Sequence, residues 1–161
     1  MSTFILIHVL ISLIAILSGV VFTIGLLSGK QLDRWTLLFL STTAATSVTG
    51  FFFFPFDGIT PAQGFGVLTM ALLALAIYAR YVVLLAGVWR RVFVVTALAS
   101  LYLNVFVGIV QAFQKNNFLK KIAPSQTAPP FVISQTIALL LFISVALFVV
   151  KRTDNGRAAR G

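Results

Sequence analysis

The chain contains no cysteine, a single histidine and only three acidic residues among its 161 residues. Without cysteine, disulfide exchange, thiolate catalysis and iron–sulfur ligation are excluded. One histidine excludes a haem or metal held between two histidines of this chain. The acids, Asp33, Asp57 and Asp154, are too far apart in the sequence to suggest the carboxylate cluster that holds Mg²⁺ for phosphoryl transfer. We therefore expect no cofactor and no metal.

Apolar residues are abundant, and they fall into five runs of at least 20 residues: 4–27, 35–56, 64–85, 92–113 and 131–150. A helix of about 20 residues crosses the roughly 30 Å of bilayer hydrocarbon. Helices of a soluble domain of this size would need polar faces towards water, which these runs lack. The sequence therefore predicts an all-α, polytopic transmembrane bundle of five spans. Residues 1–150 form one bundle, and 151–161 form a basic, disordered tail.

The net charge of +9 indicates membrane orientation rather than nucleic-acid binding, because the cations flank the apolar runs. With the N-terminus outside, five spans place nine of the 12 Lys and Arg residues in the cytoplasm and three outside. Trp35 and Trp89 then lie at cytoplasmic helix ends, where aromatic belts are found. We predict an N-out, C-in topology in the plasma (inner) membrane.

Arg80 lies close to the short connection Ala86–Arg91 that joins the third and fourth runs. An arginine near a helix end normally extends its guanidinium to the interface. A buried, functional Arg80 is the alternative. The 50 residues from Gly64 to Phe113 suffice for two spans and are too many for one.

Small residues recur at helical spacing, as expected of membrane helices that pack through close backbone contact. The second run is rich in Ser, Thr and Ala, so we expect its helix at the centre of the bundle. We expect Leu13 and Leu141 to face lipid. The first and fourth runs each carry one such stripe: His8, Ser12, Ala15, Gly19 and Thr23, and Ser100, Asn104, Gly108 and Gln111.

Larger polar side chains are rare in the spans and fall at similar predicted depths near the outer leaflet. An unpaired amide or imidazole in hydrocarbon costs several kcal/mol, so such groups face one another, water or a ligand. The candidate ligand-binding residues are His8, Asn104, Gln111, Gln114 and Gln135. The alternative is that they only form hydrogen bonds between helices.

The loop before the fifth run combines Phe118, Leu119 and Ile122 on one face with lysines opposite. This pattern predicts a short amphipathic turn on the outer surface. Proline is tolerated in the first turn of a helix, so Pro129 and Pro130 are expected to begin the fifth helix. The loop either covers the polar cluster or is only a connector anchored at the membrane surface.

Three classes of function remain open. The first is a non-enzymatic membrane subunit, or a ligand- or lipid-binding protein, with a polar cleft near the outer leaflet. The second is an oligomeric transporter or channel for a small solute, although no intramembrane carboxylate is available for ion coupling. An enzyme is the least favoured class, because no acid–base pair is visible. The expected partners are the lipid bilayer and either another membrane protein or further copies of the chain.

Overall fold

The computed structural model describes residues 3–51 and 61–158, and this part of the chain is all-helical, without strands. The end of the second apolar run and Asp57 lie outside the described residues. A π-helical turn, Tyr78–Val82, continues directly from α3. The helices are α1 (Thr3–Ser28), α2 (Asp33–Phe51), α3 (Pro61–Ile77), α4 (Trp89–Lys115), α5 (Asn117–Ile122) and α6 (Pro129–Ala158).

Four helical stretches of the described residues are long and apolar enough to cross a membrane: Thr3–Ser28, Gln63–Val82, Trp89–Lys115 and Pro129–Thr153. These helices are compatible with a small multi-pass membrane protein. The described part of α2 has 19 residues, so it is long enough, but it is not apolar enough to be counted with them. It includes Asp33, Arg34 and many hydroxyl residues. The count of five spans and the N-out orientation therefore stay predictions.

Helices α1 to α4 form a closed ring in which each packs against the next and α4 returns to α1. Helix α6 packs on the outside of this ring, against α4 and α1. The expectation that α2 is the central helix is wrong. Helix α4 contacts every other helix. In its most apolar stretch of 18 residues 44% is buried, against 17% in the corresponding stretch of α1 and 11% in that of α6. Helix α4 is therefore the central helix, because it packs against the other ring helices on one side and against α6 on the other.

One half of the ring is solidly packed. We call the end at which α1 begins and α4 ends the upper end, and the opposite end the lower end. In the lower half the Phe22 ring stacks on Phe39 at a centroid distance of 5.3 Å and meets Phe93 edge-on at 5.8 Å. Leu98 and Leu101 complete this packing and are at most 2% exposed. Large side chains from facing helices thus fill the lower interior.

The small-residue stripes on α1 and α4 face the bundle interior, as predicted. Ala15 and Ser100 are both 0% exposed, and Gly19 is buried. Leu13 and Leu141 are exposed at 50% and 56%, which agrees with their predicted surface positions.

Arg80 is paired at the lower end. Its guanidinium donates to the Asp33 carboxylate at the start of α2 and lies 5.3 Å from the Phe93 ring centroid. The Arg80 side chain is only 11% exposed. Pairing is the usual way in which an arginine is accommodated at membrane depth. The pair links α2 to the π-helical turn.

The lower turns have distinct backbone geometries. Helix α1 ends in a Schellman motif, in which Gly29 has a φ of +70° and the Lys30 amide donates to the Gly25 carbonyl at 2.9 Å. The Arg152 guanidinium donates to the Leu27 carbonyl at 2.5 Å and so joins α6 to this end. Between α3 and α4, Leu84 and Leu85 have φ values of 50° and 58°. Such left-handed backbone is costly for leucine.

The short amphipathic turn predicted before α6 is a six-residue helix, α5. Asn116 caps it by accepting hydrogen bonds from the Phe118 and Leu119 amides at 2.9 and 3.1 Å. Helix α6 begins at Pro129, as predicted. It continues to Ala158, into the predicted basic tail.

Candidate functional site

The upper half of the ring encloses a cavity of about 750 Å³. Helices α1, α2, α3 and α4 all contribute to its wall, and α5 contributes Leu119 at the rim. The interior positions of this half carry small residues where the lower half carries large ones, so the facing side chains do not meet. These residues are Ser12, Ser47, Gly50, Gly66 and Gly108.

A polar stripe on α4 runs the length of the cavity. Asn104, Gln111 and Lys115 all line it. Steps of seven and four residues return a helix of 3.6 residues per turn to nearly the same face. From Asn104 to Lys115 the stripe extends about 16 Å at 1.5 Å per residue. Asn104 thus lies at the deep end, and the exposed Lys115 lies at the mouth.

His8 faces α2 from the opposite wall. Its Nδ1 is 2.7 Å from the Thr49 hydroxyl, which donates its only proton to the Ala45 carbonyl, also at 2.7 Å. With the Thr49 proton on the Ala45 carbonyl, the hydroxyl accepts at His8, which corresponds to the tautomer whose proton is on Nδ1. In the neutral ring, Nε2 is then a hydrogen-bond acceptor.

The deep end carries polar atoms that no group among the described residues fully satisfies. The Asn104 amide donates one proton to the Thr43 hydroxyl at 3.1 Å, which leaves its second N–H and its carbonyl oxygen. Ser47 is 7% exposed and lines the cavity, and among the described residues no group bonds its hydroxyl. The neighbouring Thr46 hydroxyl is buried and has no protein partner there either.

The floor of the cavity is closed. One turn below Asn104, Leu101 is 1% exposed, and Phe39 from α2 is fully buried beside it. Gly19 of α1 packs against both side chains. The upper cavity therefore ends blindly at the packed lower half.

One side of the cavity borders the outer surface between α1 and α4. The two helices meet where Gly108 faces the Ile16 side chain, with 3.4 Å between Ile16 Cδ1 and the position a Cβ would take on Gly108. Above that contact, Leu13 and Ala112 line the cavity and are themselves exposed.

Two of the five predicted site residues, Gln114 and Gln135, lie outside the upper cavity. Gln114 points about 60° away from Gln111 around α4 and borders a separate cavity of about 290 Å³ below the α5–α6 loop. Gln135 lies on α6, outside the ring, and its amide donates to the Phe106 carbonyl at 3.2 Å. Its position between α4 and α6 is that of an interhelical hydrogen bond. His8, Asn104 and Gln111 are brought together.

Sequence reasoning missed several cavity residues. The predicted set does not include Ser47, Gly50 or the buried Gln63 at the start of α3. The available signal is a small residue in the upper half of each of four helices. In the part of the chain that the structure describes, no three His, Cys, Asp or Glu side chains group as a metal site.

The chain matches no protein-family model, and no curated protein or solved structure is significantly similar to it.

Proposed function

We propose that this is a non-enzymatic, ligand-binding integral membrane protein of the plasma (inner) membrane, and that its ligand occupies the upper cavity. The cavity carries this proposal. Its volume of about 750 Å³ lies within the range of small-molecule sites, about 300–1,000 Å³. Its wall is largely apolar with a few polar groups, which is the usual composition of such sites.

The unsatisfied hydroxyl of Ser47 favours a ligand site over simple interhelical hydrogen bonding. Gln135 Oε1 is also buried without a partner among the described residues, but it lies outside the cavity, where the Gln135 amide donates to the Phe106 carbonyl. Ser47 and the remaining Asn104 atoms instead face the cavity. A polar group left unpaired in hydrocarbon costs several kcal/mol, and a bound molecule that pairs with these groups would offset part of that cost.

The closed floor supports binding rather than transport. A permeation path would have to continue past Leu101 and Phe39, both of which are packed. The exposed apolar side chains of α6 are compatible with lipid, a partner subunit or a second copy of the chain, and the proposal does not depend on which of these covers them.

The proposal is tested by filling the cavity. Among the described residues, an added Cβ at Gly50 would have only His8 Cε1 nearby, at 3.6 Å, so Gly50→Leu directs a side chain into the space. The matched control is Gly64→Leu, because a Cβ at Gly64 would have no described atom within 4 Å and Gly64 is not among the cavity-lining residues. Each protein is purified in mild detergent, and its organic extract is analysed by mass spectrometry.

We expect a stoichiometric small molecule in the wild type and in Gly64→Leu, and its loss from Gly50→Leu at unchanged helix content. Equal recovery from all three proteins, or no such molecule in any of them, would refute ligand binding in this cavity.

A further inference from the structure

The uncharged polar groups at the deep end of the cavity restrict the ligand's chemistry. Ser47 offers a hydroxyl that donates and accepts, and Asn104 offers one N–H and one carbonyl oxygen. A ligand hydroxyl or carbonyl complements these groups. Among the described residues that line the cavity there is no carboxylate, so a cationic head would lack a counter-charge from them.

An anionic head is also disfavoured at this depth. The lysine that lines the cavity, Lys115, is exposed at the mouth, about 16 Å along α4 from Asn104. Burying an ionised carboxylate without a partner costs far more than burying a hydroxyl. A molecule that uses Ser47 and Asn104 is therefore uncharged at its deep end.

The side opening between α1 and α4 indicates the route of entry. Leu13 and Ala112 border this opening and are exposed on apolar helices that are long enough to cross a membrane. An opening of this kind faces hydrocarbon in a bilayer. Val9 and Val107 continue the apolar wall inside it.

Resting on the proposed function, we infer that the ligand is an uncharged, membrane-dissolved amphiphile. Its hydroxyl- or carbonyl-bearing head lies against Ser47 and Asn104. Its hydrocarbon chain passes along Val9 and Val107 and leaves between α1 and α4.

The test uses three photoreactive probes that share one diazirine-bearing alkyl chain: a monoacylglycerol, a fatty acid and an alkyl trimethylammonium. Each probe is added to the full-length protein in nanodiscs of zwitterionic lipid, and labelled peptides are identified by mass spectrometry. We expect saturable labelling of residues 5–16 and 103–115 by the monoacylglycerol, and at least fivefold less by either charged probe.

Ser47→Ala should reduce this labelling about three- to tenfold, the usual effect of one lost hydrogen bond. The matched control is Ser100→Ala. Ser100 is a fully buried serine in the packed half, and its hydroxyl bonds the Thr96 carbonyl at 2.8 Å. Ser100→Ala should leave labelling unchanged in the protein that remains folded.

The inference is overturned if a charged probe labels these segments as strongly as the neutral one, or if Ser47→Ala and Ser100→Ala behave alike. It is also overturned if no probe labels them above the level in Gly50→Leu. In each case the proposed function survives if extracts still contain a molecule that Gly50→Leu removes. Without such a molecule, the proposed function fails as well.

Discussion

Adding one methyl group at Gly19 should loosen the bundle, although alanine is the better helix former. Gly19 lies where α1 meets α2 and α4, and an added Cβ would be 2.3 Å from Leu101 Cδ1 and 3.0 Å from Phe39 Cδ2. Carbon atoms in contact are about 3.5–4.0 Å apart, so the Leu101 side chain or one helix must shift by roughly 1 Å. Leu101 and Phe39 are at most 1% exposed, so either shift disturbs packed neighbours.

The expected size of the effect follows from two opposing contributions. Overpacking a filled interior costs about 1–3 kcal/mol. Replacing glycine by alanine within a helix returns about 1 kcal/mol. Gly19→Ala should therefore lower the free energy of unfolding by about 1 kcal/mol net.

Gly108→Ala is the matched control on the same interior surface. Its nearest neighbour would be Ile16 Cδ1 at 3.4 Å, an ordinary contact beside the open cavity. The helix-propensity gain should dominate there and stabilise the protein by about 0.5–1 kcal/mol. The two alanine variants thus differ in sign.

The measurement is equilibrium unfolding in mixed micelles of mild detergent and sodium dodecyl sulfate, followed by far-ultraviolet circular dichroism. A Gly19→Ala protein as stable as Gly108→Ala, or more stable, would show that the close approach of α1 to Leu101 is not a feature of the folded bundle.

Three further predictions concern topology, the site and the α3–α4 turn. A reporter fused to the C-terminus should be active only in the cytoplasm, and a label at Asn116 should be accessible from outside. An external C-terminus would contradict the N-out orientation. Gln111→Ala should reduce the amount of cavity-bound molecule that is recovered, whereas Gln135→Ala should leave that amount unchanged. Gln135→Ala should alter stability by under about 1 kcal/mol, the usual contribution of an interhelical hydrogen bond in a membrane. Equal loss of the molecule in both variants would place Gln135 in the site. Leu84→Asn should raise stability by about 0.5–1 kcal/mol, because asparagine tolerates a φ of 50° and Leu84 is 77% exposed. A loss of stability in the same unfolding assay would contradict strain at Leu84.

The apolar runs and the turn residues predicted much of the local structure. The starts of the long helices fall within three residues of the predicted starts, including the start of α6 at Pro129, whereas α6 extends eight residues past its predicted end. The short amphipathic turn predicted before α6 is the helix α5. Length, hydropathy and proline chemistry act locally, so they are visible in the sequence. The interior position of the α1 and α4 stripes was also predictable, because helical spacing places their residues on one face.

The candidate site was only partly predictable for a different reason. Asn104 and Gln111 share a face of one helix, so their proximity followed from spacing. Gln135 and His8 were grouped by depth alone, and depth does not tell which side of a bundle a helix occupies. Helix α6 packs outside the ring, so Gln135 is kept away from the cavity.

By itself, the sequence determined that the chain is helical, apolar over membrane-spanning lengths, and unable to use cysteine or a pair of histidines. Only the tertiary structure decided where the interior is filled and where it is hollow. That difference depends on which side chains from separate helices meet at the same level: Phe22 and Phe39 below, Ser47 and Gly108 above. A small residue seen in one helix predicts close contact. The same residue opposite other small residues leaves a cavity, and only the packed arrangement distinguishes the two.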